Sequence, residues 1–206
     1  MIDAGLSVKR YDPNMLNQIE HILITHKHSD HLHLPLINWF YKNRPTVLNN
    51  LHVNNTVLEA IENYKPEIVK LITGPILTGH THFKIESGNQ NYKISTFPLY
   101  HDTENQGFII ENQAGEKLIH ATDTSSMRSA PDQKYDYILV EGNWDENLLW
   151  DDLDSGDREK IFRASRNLRH LSVQKYEQFV HEHSHIDTVA IQLHESFNYG
   201  INLDLN

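Results

Sequence analysis

The sequence predicts a layered α/β fold, because apolar runs of strand type alternate with segments of helical periodicity. Apolar and β-branched runs typical of buried strands occur at residues 22–25, 82–86, 92–99, 107–111, 117–121, 137–141 and 188–193. Helical patterns occur at residues 34–41, 57–64, 146–151, 157–167 and 172–181. This order of strands and helices predicts two sheets packed face to face with helices outside them, an αββα sandwich.

Turn-forming and helix-breaking residues delimit these elements. Residues 87–90, Ser-Gly-Asn-Gln, predict a turn between two strands, and residues 112–115, Asn-Gln-Ala-Gly, predict a second such turn. The second helix is expected to end before Pro66, because a proline disfavours the helical conformation of the residue that precedes it. Within the first helix, Trp39 and Phe40 are expected to face the core.

Length and composition predict one domain spanning residues 1–206. Hydrophobic residues make up 38% of the chain, which is low but not a disordered composition. The chain contains no cysteine, which excludes disulfide bonds and thiolate zinc sites. The formal net charge of −10 excludes a global attraction to nucleic acid, so any such attraction has to be local.

The sequence shows neither a membrane span nor an export signal. No apolar run approaches the roughly 18 residues that a membrane-spanning helix needs. Met1 is followed directly by Ile2 and Asp3, without the basic and apolar regions of a signal peptide. We therefore expect a cytoplasmic protein without membrane contact.

The most informative feature of the chain is the segment His-Lys-His-Ser-Asp-His at residues 26–31. It brings together the metal-ligating side chains of His26, His28, Asp30 and His31. Burying such groups without partners is unfavourable because they lose their hydration, and bound metal ions would remove that penalty. The segment directly follows the first predicted strand, where active-site loops commonly lie. A solvated, histidine-rich loop is the alternative interpretation.

The motif His-x-His-x-Asp-His after a strand, with Asp3-Ala4-Gly5 upstream, resembles the metallo-β-lactamase superfamily. The remaining positions of that family's pattern have counterparts in the expected order, each after an apolar run: His101, Asp123 and His194. The resemblance extends over nearly the whole chain. It implies the αββα sandwich of that family.

The resemblance also implies a centre of two divalent metal ions. The implied ligands form two sets that share one carboxylate: His26, His28 and His101 for one ion, Asp30, His31 and His194 for the other, and Asp123 for both. Imidazole and carboxylate ligands suit Zn²⁺, with Mn²⁺ or Fe²⁺ as alternatives. A hydroxide that bridges the two ions would be the nucleophile.

Two further segments favour the nuclease and phosphodiesterase branch of this superfamily. One predicted strand ends in Glu141, and Arg169-His170-Leu171-Ser172 places a hydroxyl residue two positions after a histidine, as in that branch. The resemblance implies that His170 donates a proton to the leaving oxygen and that Glu141 orients it. A helix-capping or surface role is the alternative for His170. Together with Asp30, these two residues form the predicted catalytic set.

The sequence therefore predicts a metal-dependent hydrolase, in the first place a phosphodiesterase or nuclease. Its substrate would be nucleic acid or a small or cyclic nucleotide. A basic stripe of Lys160, Arg163, Arg166 and Arg169 leading to His170 would hold phosphates, although a solvated helix face explains these residues equally well. The alternatives are hydrolysis of a lactone, a thioester or a β-lactam, and a truncated scaffold without catalytic activity.

The start of the chain departs from the family pattern. A β-hairpin and a turn rich in Gly and Ser normally precede the Asp-Ala-Gly segment, and this hairpin has no counterpart before Asp3. We therefore expect the sandwich to lack its first β-hairpin. One sheet would then keep an exposed edge or pair with a second copy of the chain in a homo-oligomer.

Overall fold

The computed structural model describes residues 1–194, apart from the side chain of Arg163. The strands are β1 (Ile22–Leu23), β2 (Leu51–His52), β3 (His82–Ser87), β4 (Gln90–Leu99), β5 (Asn105–Glu111), β6 (Lys117–Ala121), β7 (Tyr135–Glu141) and β8 (Ser184–Leu193). The α-helices are α1 (Pro13–Gln18), α2 (Leu34–Asn43), α3 (Asn55–Tyr64), α4 (Pro66–Val69), α5 (Glu146–Asp154), α6 (Arg158–Asn167) and α7 (Val173–His183). Short 3-10 helices occupy Val8–Arg10 and Pro45–Asn50. None of the helices within residues 1–194 combines the length and the apolar character needed to cross a membrane.

The six longer strands form one mixed sheet in the order β3-β4-β5-β6-β7-β8. Neighbouring strands from β3 to β6 are antiparallel, whereas β6, β7 and β8 are parallel. β4, β6, β7 and β8 therefore run in the same direction, and the residues that follow them lie at the same edge of the sheet. The second sheet is a parallel pair of β1 and β2, beside which Ile2 forms an isolated bridge with Leu23.

Alternating apolar residues give the large sheet two buried faces. One face, which includes Ile94 and Phe108, packs against Leu23 of the small sheet. The other face packs against α7 through Tyr176 and Phe179. Helices α1–α4 cover the outer side of the small sheet in a separate apolar cluster. The layers thus follow the predicted order of helix, sheet, sheet and helix.

Some elements of the structure differ from those predicted from local sequence patterns. β1 ends at Leu23, two residues earlier than predicted, because the backbone N–H of Thr25 donates to the carboxylate of Asp3 (2.8 Å) instead of to a strand. Helices α1 and α4 were not predicted, since six and four residues are too few to establish a helical period. Each begins at a proline, Pro13 and Pro66, which is favourable in the first helical turn.

A contact between the half-buried His21 and the buried His52 lies between the two sheets. Nε2 of His52, on β2, lies 3.2 Å from Nδ1 of His21, and the His52 ring stacks on Phe83 of β3 with centroids 4.7 Å apart. Burial, with a smaller effect from the charge of His21, lowers the pKa of His52 to about 4. The folded protein therefore keeps His52 neutral at pH values where the unfolded chain protonates it.

The contribution of His52 to the free energy of unfolding is expected to decrease as the pH falls below 6.5 towards 4, because the unfolded state binds a proton at His52 that the folded state does not. Between pH 7.5 and pH 5 this residue alone contributes a loss of about 2 kcal/mol. Urea unfolding followed by tryptophan fluorescence should show a weaker pH dependence for His52→Gln than for the wild type. Parallel curves for the two proteins would contradict this assignment.

Candidate active site

The carboxylate of Asp3 holds the loop that follows β1. Its Oδ1 accepts a hydrogen bond from the backbone N–H of Thr25 (2.8 Å), and its Oδ2 accepts one from Nδ1 of His31 (2.7 Å). The Thr25 hydroxyl also donates to Asp3, and it lies 3.0 Å from Nδ1 of His26. Both imidazoles are therefore oriented through Nδ1, which leaves Nε2 for another partner.

Asp123, which follows β6, lies at the centre of a cluster of imidazoles. Its Oδ2 is 3.5 Å from Nε2 of His26, 3.5 Å from Nε2 of His31 and 3.6 Å from Nε2 of His101. Its Oδ1 is 3.6 Å from Nε2 of His194. These distances are longer than an ordinary hydrogen bond. The four ring nitrogens therefore surround the carboxylate without forming short hydrogen bonds to it.

Three groupings of His, Asp and Glu side chains share Asp123, and in each the possible ligand atoms lie within 4.8 Å of one another. The three sets of further members are His26, His28 and His101; Asp30, His31 and His194; and Glu141, His170 and His194. The first two groupings have the same members as the two ligand sets predicted from the sequence. The structure thus brings all seven predicted ligands together.

The hydrogen bonding of this cluster fits divalent metal ions. Nε2 of His26 and Nε2 of His31 are buried and have no hydrogen-bond partner, although buried polar atoms are normally paired. In both residues Nδ1 is already engaged, and Nε2 faces Asp123. An imidazole with one occupied nitrogen and one free nitrogen is a usual ligand of zinc.

Burial and neighbouring charge set the protonation states of the cluster. Burial lowers the pKa of His26 and lowers that of His101 to about 4, so both rings are neutral and able to bind a metal. Burial disfavours the charged form of Asp123, but contacts with His26 and His31 outweigh it and lower its pKa. Burial is also outweighed at His31, where Asp123 and Asp3 raise the pKa to about 10. A metal ion bound at Nε2 of His31 would replace that proton.

Three residues of the site have strained backbone conformations. Asp3, Asp123 and His194 have φ angles of 55°, 55° and 56°, in the left-handed region that residues other than glycine seldom adopt. Each follows a strand or bridge and carries one of the side chains described above. Such strain persists only where the surrounding structure holds it, and it is concentrated at functional sites.

Glu141, at the end of β7, is fully buried and orients His170. Its Oε1 accepts hydrogen bonds from the backbone N–H groups of Thr124 and Leu171, and its Oε2 lies 3.0 Å from Nδ1 of His170. Burial lowers the pKa of His170, but the hydrogen bond and the charge of Glu141 outweigh this effect and raise it. His170 is therefore an imidazole of increased basicity whose Nε2 is not engaged by Glu141.

A cleft of about 370 Å³ opens onto the cluster. Besides the histidines and carboxylates, its lining includes Arg166 and Asn167 at the end of α6 and Arg169 just beyond it. Nη1 of Arg169 lies 2.8 Å from Oδ2 of Asp102, whose Oδ1 is 3.4 Å from Nε2 of His101. Two guanidinium groups therefore line the cleft, and Asp102 connects that of Arg169 to the histidine cluster.

The sequence profile of the β-lactamase superfamily domain matches residues 1–153. The chain belongs to the β-lactamase superfamily. The structure of this superfamily member is similar to the crystal structure of the short form of human tRNase Z (ELAC1), with a TM-score of 0.62 and 14% sequence identity over 96% of this chain and 82% of that chain. It is also similar to the metallo-β-lactamase fold protein YhfI from Bacillus subtilis, with a TM-score of 0.51 and 13% identity over 71% of this chain and 59% of that chain. None of the curated proteins matches by sequence. The predicted metallo-β-lactamase fold is thus confirmed.

The predicted basic stripe divides between two environments in this superfamily member. Arg166 and Arg169 line the cleft. Nζ of Lys160 instead lies 3.4 Å from Oδ1 of Asp152 on α5, and the side chain of Arg163 lies outside the described part of the chain. Only part of the stripe is therefore placed to meet a ligand in the cleft.

Three supporting residues were not assigned a role from the sequence: Asp3, Thr25 and Asn143. Asn143 contacts His194 twice, since its side-chain nitrogen lies 2.8 Å from Nδ1 of that histidine and donates to its carbonyl oxygen (3.0 Å). Single polar residues of this kind have no spacing pattern of their own. The available indication was their position beside a predicted ligand or directly after a predicted strand.

Proposed function

We propose that the protein is a metal-dependent phosphodiesterase or nuclease in which His170 protonates the leaving oxygen. The observation that carries the proposal is the placement of the His170–Glu141 pair beside the candidate metal ligands. Asp123, Glu141, His170 and His194 have their possible ligand atoms within 4.8 Å of one another. An acid at this position suits the cleavage of a bond to a strongly basic oxygen.

The proposed metal ligands are the two sets that share Asp123. They are His26, His28 and His101 for one divalent ion and Asp30, His31 and His194 for the other. Bound ions would neutralise charge on a phosphate and lower the pKa of an adjacent water molecule. Zn²⁺ suits these imidazole-rich sets, and Mn²⁺ and Fe²⁺ are the alternatives.

The contact with Glu141 gives His170 a defined direction as an acid. Nδ1 is engaged with Oε2 of Glu141 at 3.0 Å, so the transferable proton is the one on Nε2. The raised pKa increases the imidazolium fraction near neutral pH. As the phosphorus–oxygen bond breaks, this proton passes to the departing alkoxide, which leaves as an alcohol, and His170 becomes neutral.

The cleft favours a phosphodiester over a lactone, a thioester or a β-lactam. Arg166 and Arg169 add two guanidinium groups to the cleft wall. Guanidinium groups bind phosphate oxygens through paired, charge-assisted hydrogen bonds, whereas the reacting carbonyl group of a lactone, a thioester or a β-lactam is uncharged and has one oxygen. A phosphodiester also leaves an alkoxide, whose departure needs the proton that His170 is placed to supply.

Replacement of His170 by Ala should have different effects on substrates with different leaving groups. Hydrolysis of a dinucleotide, which releases an alkoxide, should decrease by about 10²–10⁴-fold. Hydrolysis of bis-p-nitrophenyl phosphate should decrease much less, because p-nitrophenolate leaves without protonation. Both rates are measured with added Zn²⁺ or Mn²⁺, and His181→Ala is the control because His181 is an exposed histidine outside the cleft.

If His170→Ala decreased the rate of hydrolysis equally for the two substrates, His170 would have a role other than that of an acid. Metal-dependent hydrolysis of a lactone, a thioester or a β-lactam without any phosphodiester hydrolysis would overturn the proposed substrate class. Absence of all turnover in folded, metal-loaded protein would favour the non-catalytic scaffold.

A further inference from the structure

Helix α6 carries a row of residues, some of which have no role in the proposed reaction. Arg158, Phe162, Arg166 and Arg169 follow one another at intervals of four, four and three residues, which places helical side chains on one face. Arg169 lies beyond the last residue of α6, but its backbone N–H donates to the carbonyl oxygen of Arg166 (3.3 Å), so the helical path continues to it. We call these four residues the α6 stripe.

The α6 stripe lies on the exposed side of α6, away from the side that packs against the rest of the protein. All four of its residues are exposed, and Phe162 retains 63% of its accessible surface. The packed side of α6 is represented by Ala164, which is fully buried against Trp144 and Leu149. An aromatic ring left in solvent between arginines one turn away on each side has no packing role in the folded chain.

One end of the α6 stripe is part of the candidate active site. Arg166 and Arg169 line the cleft that also contains His170 and Asp123. Arg169 uses Nη1 to bind Asp102 (2.8 Å), and its remaining guanidinium donors are available to a ligand. The stripe therefore leads from the cleft along the outer face of α6 to Arg158.

We propose that the α6 stripe binds single-stranded nucleic acid and guides it into the cleft. This inference rests on the proposed function and specifies its substrate class. The arginines would bind backbone phosphates, and Phe162 would stack on a base, the combination by which proteins hold single strands without reading their sequence. The net charge of −10 makes such a local cationic path necessary, because the protein as a whole repels polyanions.

The length of the stripe determines the size of the ligand. The nine residues from Arg158 to Arg166 extend over about 12 Å of helix axis, beyond the part that lines the cleft. A cyclic nucleotide or a mononucleotide is too short to occupy the cleft and also contact Arg158, about two helical turns before Arg166. A duplex keeps its bases stacked inside the helix, so its bases are not available to an aromatic side chain. Only an extended single strand uses all four residues.

Binding is tested with the intact, metal-loaded protein and a fluorescent phosphorothioate oligothymidylate of about 12 nucleotides, a probe that resists hydrolysis. Fluorescence anisotropy should show that Phe162→Ala binds about tenfold more weakly than the wild type. Trp150→Ala is the matched control, because Trp150 is a comparably exposed aromatic residue (55%) on α5 outside the stripe, and its affinity should be unchanged.

The salt dependence tests the phosphate contacts separately. Arg158→Gln should reduce the slope of log K against log salt by about 0.7, the value for one phosphate contact with a single strand. Equal affinities of wild type and Phe162→Ala would overturn the proposal, as would equally tight binding of a duplex of the same length. An equal decrease in affinity for Phe162→Ala and Trp150→Ala would also overturn it.

Failure of the α6 stripe proposal and failure of the proposed function would give different results. Metal-dependent hydrolysis of bis-p-nitrophenyl phosphate by the wild type, with no effect of Phe162→Ala on binding, would sustain the phosphodiesterase and reject the stripe. Binding that depends on Phe162 in a protein that hydrolyses no phosphodiester would sustain the stripe and reject the catalytic assignment.

Discussion

Replacement of Asp123 by Ala should decrease phosphodiester hydrolysis by about 10³-fold or more, because changes to residues that only support metal ligands already cost 10–100-fold. Asp123 belongs to all three groupings of possible ligands, and four imidazoles lie 3.5–3.6 Å from its oxygens. Its removal would therefore affect both proposed metal positions at once. Among residues 1–194, no other residue belongs to all three groupings.

The bound metal is measured by mass spectrometry of the purified protein, and the rate is measured on bis-p-nitrophenyl phosphate. Both should decrease for Asp123→Ala and for Asp123→Asn, which preserves side-chain volume and removes the charge. Asp132→Asn is the control, since the side chain of Asp132 is fully exposed. Wild-type metal content together with a rate within tenfold of the wild type would refute the shared-ligand role.

Replacement of Gly5 by Ala should destabilise the fold by about 3 kcal/mol or more, at the upper end of the range for overpacking. A Cβ at this position would lie 1.5 Å from the carbonyl oxygen of Asp30 and 2.8 Å from the backbone nitrogen of His31. The segment cannot shift to relieve the overlap, since the Ala4 N–H donates to His31 O (2.8 Å) and the His33 N–H donates to Ala4 O (2.8 Å).

Urea unfolding followed by tryptophan fluorescence gives the change in stability, and metal content reports whether the loop that carries Asp30 and His31 keeps its conformation. Gly79→Ala is the matched control, because a Cβ there meets Pro98 at an ordinary contact distance of 3.6 Å. Similar stabilities of the two variants would show that the contact between residues 3–5 and the loop is not as close as the structure places it.

Much of the site could be predicted because each ligand follows a recognisable strand. His101, Asp123 and His194 come shortly after β4, β6 and β8, and Glu141 is the last residue of β7. These four strands run in the same direction, so the strand topology itself gathers the four residues at one edge. His26 and its neighbours follow β1 in the same way. An apolar run followed by a ligating residue is a local pattern, and the sequence contains it directly.

The supporting contacts could not be predicted, because they join residues that are distant in the chain. Asp3 binds His31 across 28 positions and Thr25 across 22. Asn143 contacts His194 across 51 positions. None of these three pairs follows from a helix or strand period. The shortened β1 has the same origin, since a side chain from another segment takes the place of a strand partner.

The layered fold and the candidate ligands could therefore be predicted from residue type and local order alone. The protonation states of these ligands depend instead on contacts between segments that are distant in the chain. His31 and His101 belong to the same cluster, yet the pKa of His31 is raised to about 10 and that of His101 is lowered to about 4. At His31 the contacts with Asp123 and Asp3 outweigh burial, whereas at His101 burial outweighs the neighbouring carboxylates. Packing likewise determines which cationic side chains line the cleft. Arg166 and Lys160 belong to one predicted stripe, but only Arg166 lines the cleft, because the contact of α6 with α5 places Lys160 beside Asp152.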